Sequence, residues 1–125
     1  VLDEAARFTG QVLAPINRSA DVEGCHFEAG KVTTPKGFRE AYAQFVEGGW
    51  CGLTADPAYG GQGMPEVVGA AVKEMIDSAN LAWGNYPLLS HGATEALKHV
   101  AEDWQREVFL KPIVEGRWTG TMCLT

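Results

Sequence analysis

Apolar side chains recur at helical spacing from the first residues of the chain. Ala5, Phe8, Val12 and Ile16 follow one another at steps of three and four, which draws one stripe along a helix over residues 1–17. Pro15 has no N–H to donate to the Gln11 carbonyl, so this helix is expected to bend or stop in its last turn. Residues 21–34 have no helical period and hold Gly24 and Gly30, so HFEAGKVTT reads as a short extended excursion. Thr34 and Pro35 supply a capping hydroxyl and a first-turn proline for a second helix. Its apolar face is Phe38, Tyr42, Phe45 and Val46, and Gly48-Gly49 end it.

The stretch GWCGLTADPAYGGQGMP carries five glycines and two prolines, so it predicts a loop at the surface. A third helix is expected from Pro65 to about residue 81, with Val68, Val72, Met75 and Ala79 inward. Gly84 and Pro87 then punctuate the chain. A fourth helix follows over 87–100, with Leu89, Ala93, Ala96, Leu97 and Val100 inward. Gly92 weakens that helix by about 1 kcal/mol relative to alanine, which points to a packing or pocket reason for its presence. A fifth helix is expected over 102–114, with Glu102 and Asp103 at its positive end and Trp104, Val108 and Ile113 toward the core. After Gly116, RWTGTMCLT alternates and is rich in β-formers, as a strand would be. The pattern predicts an all-α fold, a bundle of about five helices with a short C-terminal β-strand. The helical domain is 1–116, and 117–125 opens a second unit. Both ends fall inside a pattern, so the chain reads as part of something larger.

Composition narrows the function classes. A net charge of −6 opposes bulk attraction to nucleic acid or anionic lipid. No apolar run approaches the roughly 20 residues of a membrane span, and no charged-then-apolar leader is present. Cys25, Cys51 and Cys123 are far apart and form no CxxC pair, which fits reduced thiols in a cytoplasmic protein. His91 and His99 are eight residues apart, about two helical turns, too far to share an ion, and no metal site is expected. GGQG lacks the preceding strand and the lysine of a phosphate loop.

The order of motifs says more than any one of them. GWCGLTADPAYGGQGM resembles the acyl-CoA dehydrogenase segment in which glycine and an aromatic lead to GL, a proline and YGGxG. DWQREVFLKPIVEGRWTGTMCLT resembles that family's acidic-Gln-Lys helix, turn and flavin-contacting strand. VLAPINR, VTTPKGFREAY and FVEGGW are most similar to the 3-methylmercaptopropionyl-CoA dehydrogenase subgroup. Trp104 and Arg106 depart from the family's wording on an outer helix.

The resemblance implies an FAD-dependent oxidation of an acyl-CoA thioester to the trans-2-enoyl-CoA. It further implies an electron-transfer flavoprotein or similar acceptor, and a homo-oligomeric enzyme. The catalytic base would lie in a C-terminal domain beyond this chain, so the chain alone would be inactive. By the same resemblance Met122, Leu124 and Thr125 contact the flavin, and Leu88, His91 and Gly92 border the acyl slot. The rival expectation is a non-catalytic helical interaction module with the same fold.

Overall fold

The computed structural model of the chain describes residues 1–121. Four helical rods and one small hairpin make up the described fold. The first rod, α1, joins Leu2–Phe8, a π-helical stretch Thr9–Leu13 and Ala14–Glu23. It runs past the expected end at residue 17 because the chain takes up Pro15 without breaking: the proline sits in the first turn after the widened π stretch, where a missing N–H costs least. The extended excursion is present as an antiparallel hairpin, β1 (His26–Glu28) with β2 (Lys31–Thr33), in which Phe27 faces Val32.

The second helix, α2, is Phe38–Glu47, not a helix capped by Thr34. A turn comes first, with the Phe38 N–H donating to the Pro35 carbonyl at 3.2 Å. The glycine-rich loop contains two single 3-10 turns, Trp50–Gly52 and Pro57–Tyr59, and the second is capped by Asp56 accepting from the Ala58 N–H at 2.9 Å. This loop is not wholly at the surface: Gly52, Leu53 and Ala55 are buried.

The third and fourth expected helices run together as one kinked element, α3 (Glu66–Val100), in which two helices meet, so the expected break near residue 81 is present. It kinks at Asn80 (φ −161°, ψ 89°), not at Gly84 or Pro87. The reason is local. The Asn80 carboxamide accepts the Trp83 N–H at 3.1 Å and donates to the Leu13 carbonyl at 3.4 Å, which caps the second half of the rod and ties it to α1. Gly84 is there for close approach: a Cβ would collide with Asp77 Oδ1 and stand 3.3 Å from Ile76.

The last rod, α4, joins Asp103–Gln105, a π-helical stretch Arg106–Leu110 and Lys111–Val114, opened by a capping box between Glu102 and Gln105. The π stretch adds a residue to the turn and rotates the downstream face. Trp104 (58 % exposed), ahead of that stretch, and Val108, within it, point outward, and Leu110, Ile113 and Val114 point in. On α3, Val100 and Ala96 likewise lie exposed rather than inward.

The expected strand over 117–125 is not found in its described part. The Arg117 and Trp118 N–H groups both donate to the Pro112 carbonyl, at 3.0 and 3.1 Å, so this stretch wraps the end of α4 instead of extending toward a partner strand. Met122–Thr125 lie outside the described residues.

α3 is the spine. Val72, Ile76 and Trp83 from it meet Ala5, Leu13 and Ala20 of α1 and Phe38, Ala41 and Phe45 of α2 in the main core. Trp83 is fully buried and is ringed by Phe8, Tyr42 and Phe45 at centroid distances of 6.0, 6.4 and 5.3 Å. A smaller cluster of Ala55, Leu110 and Val114 ties the loop to α4. No helix among the described residues is long and apolar enough to cross a membrane.

Candidate functional site

Beside the main core a cavity of about 370 Å³ opens between α2, the glycine-rich loop, both halves of α3 and Ile113 of α4. That volume suits a small organic ligand or part of a larger one. Phe45, Trp50, Val72 and Ile76 form its apolar wall, and Glu66, Lys73, Ser90, His91 and Thr94 supply its polar groups. Some of these are already engaged. Lys73 is paired with Asp77 one turn along α3, and the Thr94 hydroxyl donates to the Ser90 carbonyl at 2.9 Å. His91 is exposed at the mouth.

Tyr42 and Cys51 lie on the cavity wall opposite α3. The Tyr42 hydroxyl donates to the Gly116 carbonyl at 3.3 Å, which joins α2 to the end of α4. Burial, reinforced by the neighbouring Cys51, pushes the Tyr42 phenol from 10.0 up to about 12. Burial pushes the Cys51 thiol from 9.0 up to about 11, against a partly offsetting hydrogen bond with Tyr42. Cys51 is therefore a protonated wall residue at neutral pH, not a nucleophile.

Both groups bind their protons more tightly folded than unfolded. Their contribution is complete below the unfolded values and is lost as pH climbs through the folded ones. Urea unfolding should show a midpoint that falls as pH rises from 9 to 11, and falls less in the Cys51→Ala/Tyr42→Phe double variant. An equal fall in both proteins would show that other groups carry the alkaline sensitivity.

The acyl-slot residues of the sequence reading lie on the second half of α3. Leu88 is 44 % exposed, and Gly92, one turn on, is exposed with nothing within 4 Å of where a Cβ would stand. These two share an outward face, and only His91 also lines the cavity. Met122, Leu124 and Thr125, the expected flavin contacts, lie outside the described residues.

The approach to them is described. The Gly120 N–H donates to Ser90 Oγ at 3.0 Å. A Cβ on Gly120 would stand 2.7 Å from the Ala93 Cβ and 2.9 Å from the Leu89 carbonyl. The chain therefore enters 122–125 from a point pinned against the helix that carries Leu88, His91 and Gly92.

The sequence reading did not pick out Ser90, Thr94, Glu66 or Lys73. Ser90, His91 and Thr94 recur at helical spacing, so a polar stripe beside the expected inner face was the available signal. Among the described residues, no group of three or more His, Cys, Asp or Glu side chains is placed to hold a metal ion.

Known proteins match this chain over nearly all of it. The family described as acyl-CoA dehydrogenase, N-terminal domain, matches residues 1–117. A 3-methylmercaptopropionyl-CoA dehydrogenase of Ruegeria pomeroyi is 44% identical over 124 residues, 99% of this chain and 21% of that protein. A butyryl-CoA dehydrogenase of Syntrophomonas wolfei is 35% identical over 127 residues, again 99% of this chain and 21% of the relative. The chain thus spans about a fifth of the length of these curated relatives. A solved chain from work on the electron transferring flavoprotein of Acidaminococcus fermentans and flavin-based electron bifurcation has the same fold. It superposes with a TM-score of 0.72 at 21% identity, over 91% of this chain and 27% of that one.

Proposed function

The chain belongs to the acyl-CoA dehydrogenase family through its N-terminal domain, and from that premise we propose that it forms the helical part of an enzyme that oxidises an acyl-CoA thioester to the trans-2-enoyl-CoA. The family is one of oxidoreductases, and its members generally use FAD. The observation that carries the reading is the Gly120–Ser90 contact. It brings the approach to the flavin-contacting segment against the same helix that carries the residues expected to border the acyl chain.

The fit to a flavin is tested on this ledge. A ring edge held by backbone donors needs a segment with a fixed point of departure, and Gly120 supplies one because its lack of a side chain lets it rest on the Leu89 carbonyl and Ala93. Met122, Leu124 and Thr125 would hold the pyrimidine edge, and 117–125 would open the next domain. When bound, FAD supplies the two-electron acceptor for the reaction. Leu88 forms an apolar wall of the acyl slot, Gly92 sets its depth, and His91 offers a donor at the cavity mouth to a polar acyl tail. An electron-transfer flavoprotein or a similar carrier would reoxidise the enzyme, and the working form would be a homo-oligomer. The identity to a 3-methylmercaptopropionyl-CoA dehydrogenase favours a short thioether acyl group over a long fatty one.

Steady-state turnover of a panel of acyl-CoA thioesters by the longer protein, with an artificial electron acceptor, tests the reading. Short acyl groups should turn over, and the 125-residue chain alone should turn over none. An inactive longer protein that binds flavin would refute the assignment.

Gly92 separates the two roles that a helical glycine can have. Gly92→Ala should stabilise the chain in thermal unfolding by about 0.5–1 kcal/mol, since open space surrounds the position and only the glycine entropy cost is removed. Gly92→Leu in the longer protein should raise KM for longer acyl groups much more than for short ones. An unchanged chain-length profile would remove Gly92 from the slot.

A further inference from the structure

A second groove, of about 520 Å³, lies between the hairpin, the turn before α2 and Tyr86 of α3, away from the acyl-slot face. Its charge is out of keeping with the chain. The protein carries a net −6, yet Lys31, Lys36 and Arg39 all line this groove, and Glu40 is the one carboxylate among its lining residues. These cations are also unspent. Of the ten lysines and arginines, Arg7, Lys73, Arg106, Lys111 and Arg117 form ion pairs with carboxylates. Among the five without such a pair to a described residue, three are Lys31, Lys36 and Arg39, and Arg18 and Lys98 lie elsewhere. Glu28 stands opposite Lys31 in the hairpin register but makes no ion pair with it. Glu23, the nearest acid on α1, is engaged by the Lys36 backbone N–H at 3.1 Å.

Beside the cations the groove has an aromatic and apolar wall. Tyr86 packs edge-on against the buried Phe38 at 5.9 Å, which fixes the orientation of its ring, and Val32 is 61 % exposed on the hairpin side. Thr33 and Thr34 add hydroxyls between the lysines.

We propose that this groove is a binding site for a nucleoside diphosphate group, with the base on Tyr86 and Val32 and the phosphates on Lys31, Lys36 and Arg39. A guanidinium fork and two ammonium groups match clustered phosphate oxygens, and the uncompensated charge is what such an anion would neutralise. A simple inorganic anion would leave the aromatic wall unused. The groove reaches Thr119, next to Gly120, but its cations take no part in the Gly120–Ser90 contact, and the proposal does not depend on the dehydrogenase reading. The same chemistry has two sources, a free nucleotide or the nucleotide end of a larger cofactor.

Isothermal titration of the chain with ADP, inorganic pyrophosphate and coenzyme A tests the site. ADP should bind at least about tenfold more tightly than pyrophosphate, and the affinity should fall as salt rises. Arg39→Glu and the Lys31→Ala/Lys36→Ala variant should each weaken ADP at least about tenfold, whereas Lys98→Ala should not. All these side chains are exposed, and an unchanged circular dichroism melt would confirm that the variants fold. Coenzyme A binding as tightly as ADP assigns the shared diphosphate, and tighter binding assigns the cofactor's nucleotide end; both support the site. Absence of ADP binding at about 10 mM would overturn the proposal. Pyrophosphate binding as well as ADP, or binding indifferent to Arg39→Glu, would overturn it too.

Discussion

Trp83→Ala should cost the fold about 3–5 kcal/mol, enough to leave a domain of this size largely unfolded at room temperature or close to it. Two effects add. The side chain is fully buried among Phe8, Tyr42 and Phe45, so its removal opens a void between three helices that rigid rings cannot fill. Its indole N–H also donates to the Phe38 carbonyl at 3.2 Å, and truncation leaves that buried acceptor without its partner. Trp83→Phe should lose less, because it keeps most of the ring contacts and forfeits mainly the hydrogen bond. Trp104→Ala, at a position 58 % exposed, should change stability by less than about 0.5 kcal/mol. Urea denaturation of the three variants measures this order. A Trp83→Ala protein as stable as Trp104→Ala would mean that the aromatic core is not the keystone of the bundle.

Gly120→Val should abolish flavin retention in the longer protein while barely altering the stability of the helical chain. The added side chain would press on the Ala93 Cβ, the Leu89 carbonyl and the Ser90 Cα, and two of those three contacts are helix backbone that cannot turn aside. The 119–121 segment must lift, and the Gly120 N–H then leaves Ser90 Oγ. Ser90→Ala removes only that hydrogen bond, worth about 0.5–1.5 kcal/mol, so it should weaken flavin binding modestly. The FAD-to-protein ratio after gel filtration reads both effects. A Gly120→Val protein that keeps its flavin would detach the ledge from the cofactor site.

Much of the helical pattern was legible in the sequence because it is local. The stripes through Phe8, Phe38, Phe45, Val72 and Ile113 all mark faces that do pack inward. What escaped depends on contacts between distant residues. Gly84 and Pro87 read as breaks, but the rod continues through them because Asn80 caps it from within and Gly84 fits under Asp77 and Ile76. An asparagine in a helical stretch gives no local hint that its carboxamide will reach Leu13, 67 positions back. The π stretches are equally silent, and Val108, inside the one in α4, faces out where the sequence pattern had it facing in.

The candidate site divides in the same way. His91 could be singled out only through the family resemblance, and the structure sets it on the lining of a cavity. Glu66, Lys73 and Ser90 reach that cavity from separate parts of a kinked rod, which periodicity cannot foresee. Lys31, Lys36 and Arg39 look like ordinary surface charge until the hairpin folds back beside the turn before α2.

The central claim is that this helical chain frames a flavin site for acyl-CoA oxidation. Anaerobic mixing of the longer protein, as isolated with its flavin, against a short-chain acyl-CoA puts that claim to the test most directly. The account predicts rapid bleaching of the flavin absorbance with one enoyl-CoA formed per flavin reduced. Flavin that stays oxidised in the presence of every short-chain thioester would contradict it.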